Sequence, residues 1–125
     1  MIQVVIVLNK VECLDEIIKR FIENDISGGT IINSYGMARS IGGGDDEEIP
    51  LFAILKSMFE FDDASSKIIF MIAEESQVRT ISKIVNEVTG GLQNPNTGIM
   101  FCTPVVYIEG LRKNKPETLA NKSID

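Results

Sequence analysis

Hydrophobic positions along this chain recur with two alternating periods. Residues 2–9, IQVVIVLN, form a β-branched apolar run of strand length without clean alternation. Such a run predicts a central strand covered on one face and at least partly on the other. Past Lys10 the period lengthens: Leu14, Ile17, Ile18, Phe21 and Ile22 recur at helical spacing, while Glu12, Asp15 and Glu16 suit the positive end of a helix dipole. This helix is expected to end near Asn24. ISGG at 26–29 then turns the chain into a second strand, 30–35, TIINSY, with Ile32 and Ser34 on one face and Ile31, Asn33 and Tyr35 on the other. From Lys67 the pattern repeats. Residues 67–73, KIIFMIA, read as a strand, and Val78, Ile81, Ile84, Val85 and Val88 mark one apolar helical stripe behind a Ser76 cap. That helix stops at Thr89, Gly90 and Gly91. After the turn-rich 90–98, GGLQNPNTG, a last strand is predicted over 99–108, IMFCTPVVYI, in which Pro104 demands an edge position or a bulge.

Strand, helix, strand thus occurs twice, which predicts an α+β fold: a ferredoxin-like split βαβ (βαββαβ) sandwich, its antiparallel sheet carrying both helices on one face. The connection between the second and third strands, 36–66, is far longer than a hairpin turn and is expected to be functional or partly folded. Pro50 can start a helix, and Leu51, Phe52, Ile54, Leu55, Met58 and Phe59 then predict a short extra one before the acidic turn DDASS. Its apolar side is expected to pack on the sheet face that the main helices leave open; docking on a neighbouring subunit or partner is the alternative. Residues 1–112 make the domain, and 113–125, KNKPETLANKSID, a polar tail.

Composition narrows the function. A chain of 125 residues, 44% hydrophobic and 24% charged, suits one soluble domain. No apolar run approaches the ~20 residues needed to span a bilayer. The only apolar run among the first ten residues, 4–8, has no basic stretch before it, so the expectation is a cytoplasmic protein without direct membrane insertion. A formal charge of -6 opposes a phosphate backbone, and the six phenylalanines fall mostly at core-like positions, so no nucleic acid is expected as partner. The chain has no histidine, which removes the commonest general base near neutral pH. Cys13 and Cys102 lack metal-ligand spacing and are read as two isolated, reduced thiols, with no metal site.

Several residues could still carry chemistry. Gly42, Gly43 and Gly44 offer a backbone nest, but no GxxxxGK[ST] surrounds them, and a hinge is the simpler reading. Asp45, Asp46, Glu47 and Glu48 are unspaced carboxylates, read as a solvated run rather than a cation or catalytic site. Arg39 and Arg112 stand just past the second and fourth strands, as surface residues or facing an anion cleft. Any anion at 90–98 would lie at a helix C-terminus, where the dipole is unfavourable, and would depend on nest geometry and side-chain charge.

The segments VVIVLNKVECLDEIIKRFIENDISGGTIINSYGMAR (4–39) and GIMFCTPVVYIEGLR (98–112), with the helix before the latter, resemble the PII signalling family, the trimeric nitrogen-regulatory proteins of bacteria, archaea and plastids. The resemblance covers 1–112, as a divergent PII-like member. It implies a homotrimer, adenine nucleotide in clefts between subunits, and a loop after the second strand that engages an enzyme or transporter. Carried over by position, Thr30, Gly36, Met37, Ala38 and Arg39 match the nucleotide-cleft segment, and Gly98 matches the last glycine of the phosphate loop. Ile41, Gly42, Gly43, Gly44, Asp45, Asp46, Glu47 and Glu48 match the start of the partner loop.

Two positions depart from that pattern. The family's next lysine is Ile99 here, and of its two later arginines the first is Gly110 and only the second, Arg112, is kept. Three alternatives follow: Lys113 compensates, the effector (ATP, ADP, AMP or another small nucleotide) carries fewer charges, or the cleft is empty. The loop also lacks the family's modified tyrosine. The expectation is a non-enzymatic regulator that binds a small effector and a protein partner, with nitrogen metabolism the setting the resemblance implies. The competing readings are an acylphosphatase-like enzyme, with Lys10 its only cation after the first strand, and a ligand-free trimeric scaffold.

Overall fold

The computed structural model describes residues 1–37 and 66–111. Four strands form one antiparallel sheet: β1 is Ile2–Leu8, β2 Thr30–Ser34, β3 Ser66–Ala73 and β4 Gly98–Pro104. Their spatial order is β2-β3-β1-β4. Both βαβ units therefore skip one strand, which the other unit fills, as in the ferredoxin-like arrangement. The helices α1, Leu14–Glu23, and α2, Val78–Thr89, connect β1 to β2 and β3 to β4. Each is led in by a single 3-10 turn, Val11–Cys13 and Glu75–Gln77.

Strand register sorts the side chains into two faces. Val4, Ile6 and Leu8 of β1 and Ile69, Met71 and Ala73 of β3 point at the helices and are buried. They pack against Ile17 and Phe21 of α1 and Ile81, Ile84 and Val85 of α2. Each of these side chains larger than Ala73 contributes roughly 1.5–3 kcal/mol by leaving water, so this layer of contacts is the main support of the fold.

The helix ends have specific locks. Asp25, at φ 62, follows α1 in the left-handed region. The Ile26 amide donates back to the Phe21 carbonyl at 2.8 Å and the Asp25 amide to that of Ile22 at 3.1 Å. This is a Schellman ending with aspartate where glycine is usual, and Ile26 and Phe21 supply its buried apolar contact. Gly90, at φ 89, closes α2 in the same backbone region.

Several expected boundaries shift. The first strand ends at Leu8 rather than Asn9, because the Asn9 amide turns away to the Thr97 carbonyl at 2.9 Å. The second ends at Ser34 rather than Tyr35. The fourth ends at Pro104 instead of continuing to Ile108: Pro104 faces Ile2 in the last pair of the ladder, and the Val105 amide makes one further bond to the Met1 carbonyl. Ser76 is not a cap. Glu74 takes that role for the 3-10 turn, in a capping box with Gln77, whose side chain accepts from the Glu74 amide at 2.9 Å. Ile22, expected in the core stripe, is 59% exposed. The extra helix expected at 50–59 lies outside the described residues.

Candidate functional site

The ends of β1 and β2 and the starts of β3 and β4 meet at one end of the sheet, with Leu8 opposite both Lys67 and Gly98 and Ser34 opposite Ser66. Gly36 and Met37 follow directly on β2. Gly98 starts β4 at φ +149, and a Cβ there would sit 2.4 Å from the Val7 carbonyl oxygen. Only glycine lets β4 approach β1 this closely, a structural reason for the residue that stands whether or not a phosphate binds beside it.

The loop before Gly98 is already knitted together. The Gly91 amide donates to the Thr89 hydroxyl at 3.2 Å, that of Leu92 to the Asn86 side chain at 2.8 Å, and that of Asn94 to the Gly91 carbonyl at 3.1 Å. The Gly90 amide remains on the helix ladder, bonded to Asn86. Four amides that an anion nest would need are thus engaged within the protein. Lys10 is also committed: its ammonium donates to the Thr89 carbonyl at 2.9 Å, at the negative end of α2. Cys13 donates to the neighbouring Val88 carbonyl at 3.6 Å. Lys10 and Cys13 thus clamp the β1–α1 turn to the end of α2.

Gly36 and Met37 share the sheet end with Gly98 but lie on the opposite edge, three interstrand spacings or roughly 14 Å away. Thr30 sits at the far end of β2. Within one chain these residues line no common cavity, and a ligand touching both edges would have to lie between two copies. Ala38, Arg39, residues 41–48, Arg112 and Lys113 lie outside the described residues.

The face away from the helices carries a pattern that the strand predictions left incomplete. Register places Thr30, Phe70, Val5 and Phe101 in one row across the sheet and Ile32, Ile68, Val7 and Ile99 in the next. Seven of these eight are large and apolar, and Ile32, Ile99 and Phe101 are 43%, 56% and 47% exposed. Of the described phenylalanines only Phe21 is buried, so the expectation that phenylalanines sit mostly in the core does not hold for Phe70 and Phe101. Among the described residues they share their face with no cation, since Lys67 points to the other side, where it donates to Asn33.

Two depressions lie on the helix side. A groove of about 80 Å³ runs between α1 and the β2 edge, lined by Ile18, Phe21, Ile22, Ile31, Ile69 and Met71 among others. A shallow depression of about 500 Å³ is lined by Ile2, Glu75, Val78, Arg79, Ser82 and Cys102, at the sheet end remote from Gly98. No residue singled out from the sequence as a ligand contact lines either one. Glu75, Arg79 and Ser82 share a helical face, but nothing in their spacing marks them off from ordinary surface residues.

Two polar pairs elsewhere are local. The Arg20 guanidinium bonds Glu16 at 2.9 Å and holds its carboxyl below the usual range. Tyr107 donates to Glu109, which raises the phenol's pKa. Among the described residues no cluster of three or more acidic or cysteine side chains could hold a metal ion, and no helix is long and apolar enough to cross a membrane. No family model and no curated protein matches the chain.

Proposed function

We propose that this chain is the subunit of a homotrimeric, non-enzymatic PII-like regulator of the cytoplasm. It binds a small effector in clefts between subunits and acts on a protein partner through the segment after β2, in the manner of nitrogen signalling. The observation that carries this reading is the apolar sheet face that the two described helices leave uncovered. Seven large apolar residues in two adjacent rows, with no cation among them, suit burial against other copies better than contact with water or nucleic acid. The positions of Gly36, Met37 and Gly98 on opposite edges at one sheet end add to it, because adjoining subunits would bring such edges together. Adenine nucleotide is the effector class the resemblance implies, with Thr30, Arg39, Arg112 and Lys113 as further contacts.

Light scattering is expected to give three times the chain mass, and a monomer overturns the reading. Calorimetry with ATP, ADP and AMP tests the effector: binding that weakens in both Arg39→Ala and Arg112→Ala is expected. A specific observation favours a second reading, a trimeric scaffold without nucleotide. The loop amides of Gly90, Gly91, Leu92 and Asn94 are engaged internally, and Ile99 and Gly110 replace family cations. A trimer whose melting temperature no nucleotide raises would select that reading.

A further inference from the structure

We propose that residues 105–111 are an exchange arm which seats its apolar side chains in the groove between α1 and β2 of the next copy. The inference rests on the homotrimeric reading and names a contact that would join its subunits. Beyond Pro104 the chain leaves the sheet, and Val106, Tyr107, Ile108 and Leu111 are all exposed, Val106 at 98%. Four of seven consecutive residues present large apolar side chains to solvent. The Tyr107 hydroxyl is already paired with Glu109, which leaves the ring as an anchor with its polar end satisfied.

The groove is the matching surface. Ile22 and Ile31, 59% and 44% exposed, flank a cavity of about 80 Å³ with an apolar wall of Ile18, Phe21, Ile69 and Met71. That volume is too small for a nucleotide and suits an aliphatic side chain or two. Among the described residues β2 has no strand on its outer side, so an extended segment can approach along that edge.

The arm lies outside its own groove, none of whose lining residues belongs to 105–111, and position favours a neighbour's. The arm departs from the β4 edge, and the groove lies at the β2 edge across the whole sheet. Along the strands, however, the two are nearly level: the arm leaves where Pro104 faces Ile2, one same-face row beyond the row containing Val4, Met71 and Cys102, and Met71 lines the groove. Copies related by an axis along the strands, with one copy's β4 edge beside the next one's β2 edge, bring arm and groove together. Repeated head to tail, the contact closes into a ring. Interface size supplies a further reason. The two apolar rows on the open face span only roughly 19 by 14 Å, against the ~800 Å² per partner of a standard stable interface. The sheet face therefore needs a second contact, and an arm of seven residues, reaching up to about 23 Å, provides one.

The test is cross-linking of full-length Ile22→Cys/Val106→Cys chains in a Cys13→Ser/Cys102→Ser background with a short bismaleimide. Covalent dimers and trimers on a denaturing gel, absent from either single-cysteine variant, are expected. An oligomer by light scattering that yields no chain-to-chain cross-link overturns the arm while leaving the trimer standing. A monomeric wild type overturns both. Independently, Val106→Asp is expected to raise the concentration at which subunits dissociate by about tenfold or more, and assembly as tight as wild type would refute the contact.

Discussion

Two residues with unusual backbone carry opposite consequences for stability. Gly98 has no room for a side chain: its φ of +149 and the 2.4 Å approach to the Val7 carbonyl oxygen leave no relaxed position for a methyl group. Gly98→Ala is expected to cost about 2–4 kcal/mol by forcing β4 off β1, measurable as a lower urea midpoint. Asp25 is the reverse case. It holds the left-handed ending of α1 at φ 62, where glycine does so without a Cβ penalty, so Asp25→Gly is expected to stabilise by about 0.5–1 kcal/mol. An unchanged or lower midpoint would mean that the aspartate side chain offsets that strain. Gly98 was visible in the sequence as a family-like glycine, but the reason it must be glycine became visible only when β4 lay against β1. Asp25 gave no signal at all, since an aspartate in a turn is unremarkable until its φ is known.

At the scale of elements, the strands and helices followed from periodicity, and the errors lie at their ends. The last strand stops four residues before its apolar run does, because strand length is set by pairing: the ladder with β1 ends where Pro104 faces Ile2. Pro104 is the one mark of that stop within 99–108. The β1–α1 turn illustrates the same dependence. Lys10 reads as a cation available for an anion, yet it caps the far end of α2 through the Thr89 carbonyl. Lys10→Met is expected to cost about 1–2 kcal/mol through the lost charge-assisted bond and dipole contact, seen as a lower thermal midpoint. If stability is unaffected, the clamp is incidental.

The described residues form two layers, helices on one face of a sheet whose other face is apolar. Helices cover one face of the sheet, and on the other lie the apolar rows of Val5, Phe70 and Phe101 and of Val7, Ile68 and Ile99, with no described helix or strand packed over them. Phe101→Lys or Ile99→Lys should convert an oligomer to monomers with the fold intact, since both side chains are already about half exposed in one chain. Light scattering read beside far-UV circular dichroism checks this, and a variant that stays trimeric at wild-type concentrations contradicts the role assigned to that face.

From the amino-acid order alone came the doubled βαβ plan and the α+β class, because the 2-residue and 3.6-residue periods of apolar side chains are local properties of the chain. The buried stripes of α1 and α2, apart from Ile22, and the stop at Gly90 were equally readable. Tertiary structure decided where each strand ends, that Lys10 serves a helix terminus, that Phe70 and Phe101 share an open face, and that the residues matched to a ligand cleft sit on opposite sheet edges. Each of these depends on which segment lies beside which. Contacts between residues as far apart in the chain as Lys10 and Thr89 leave no mark on the spacing of their neighbours.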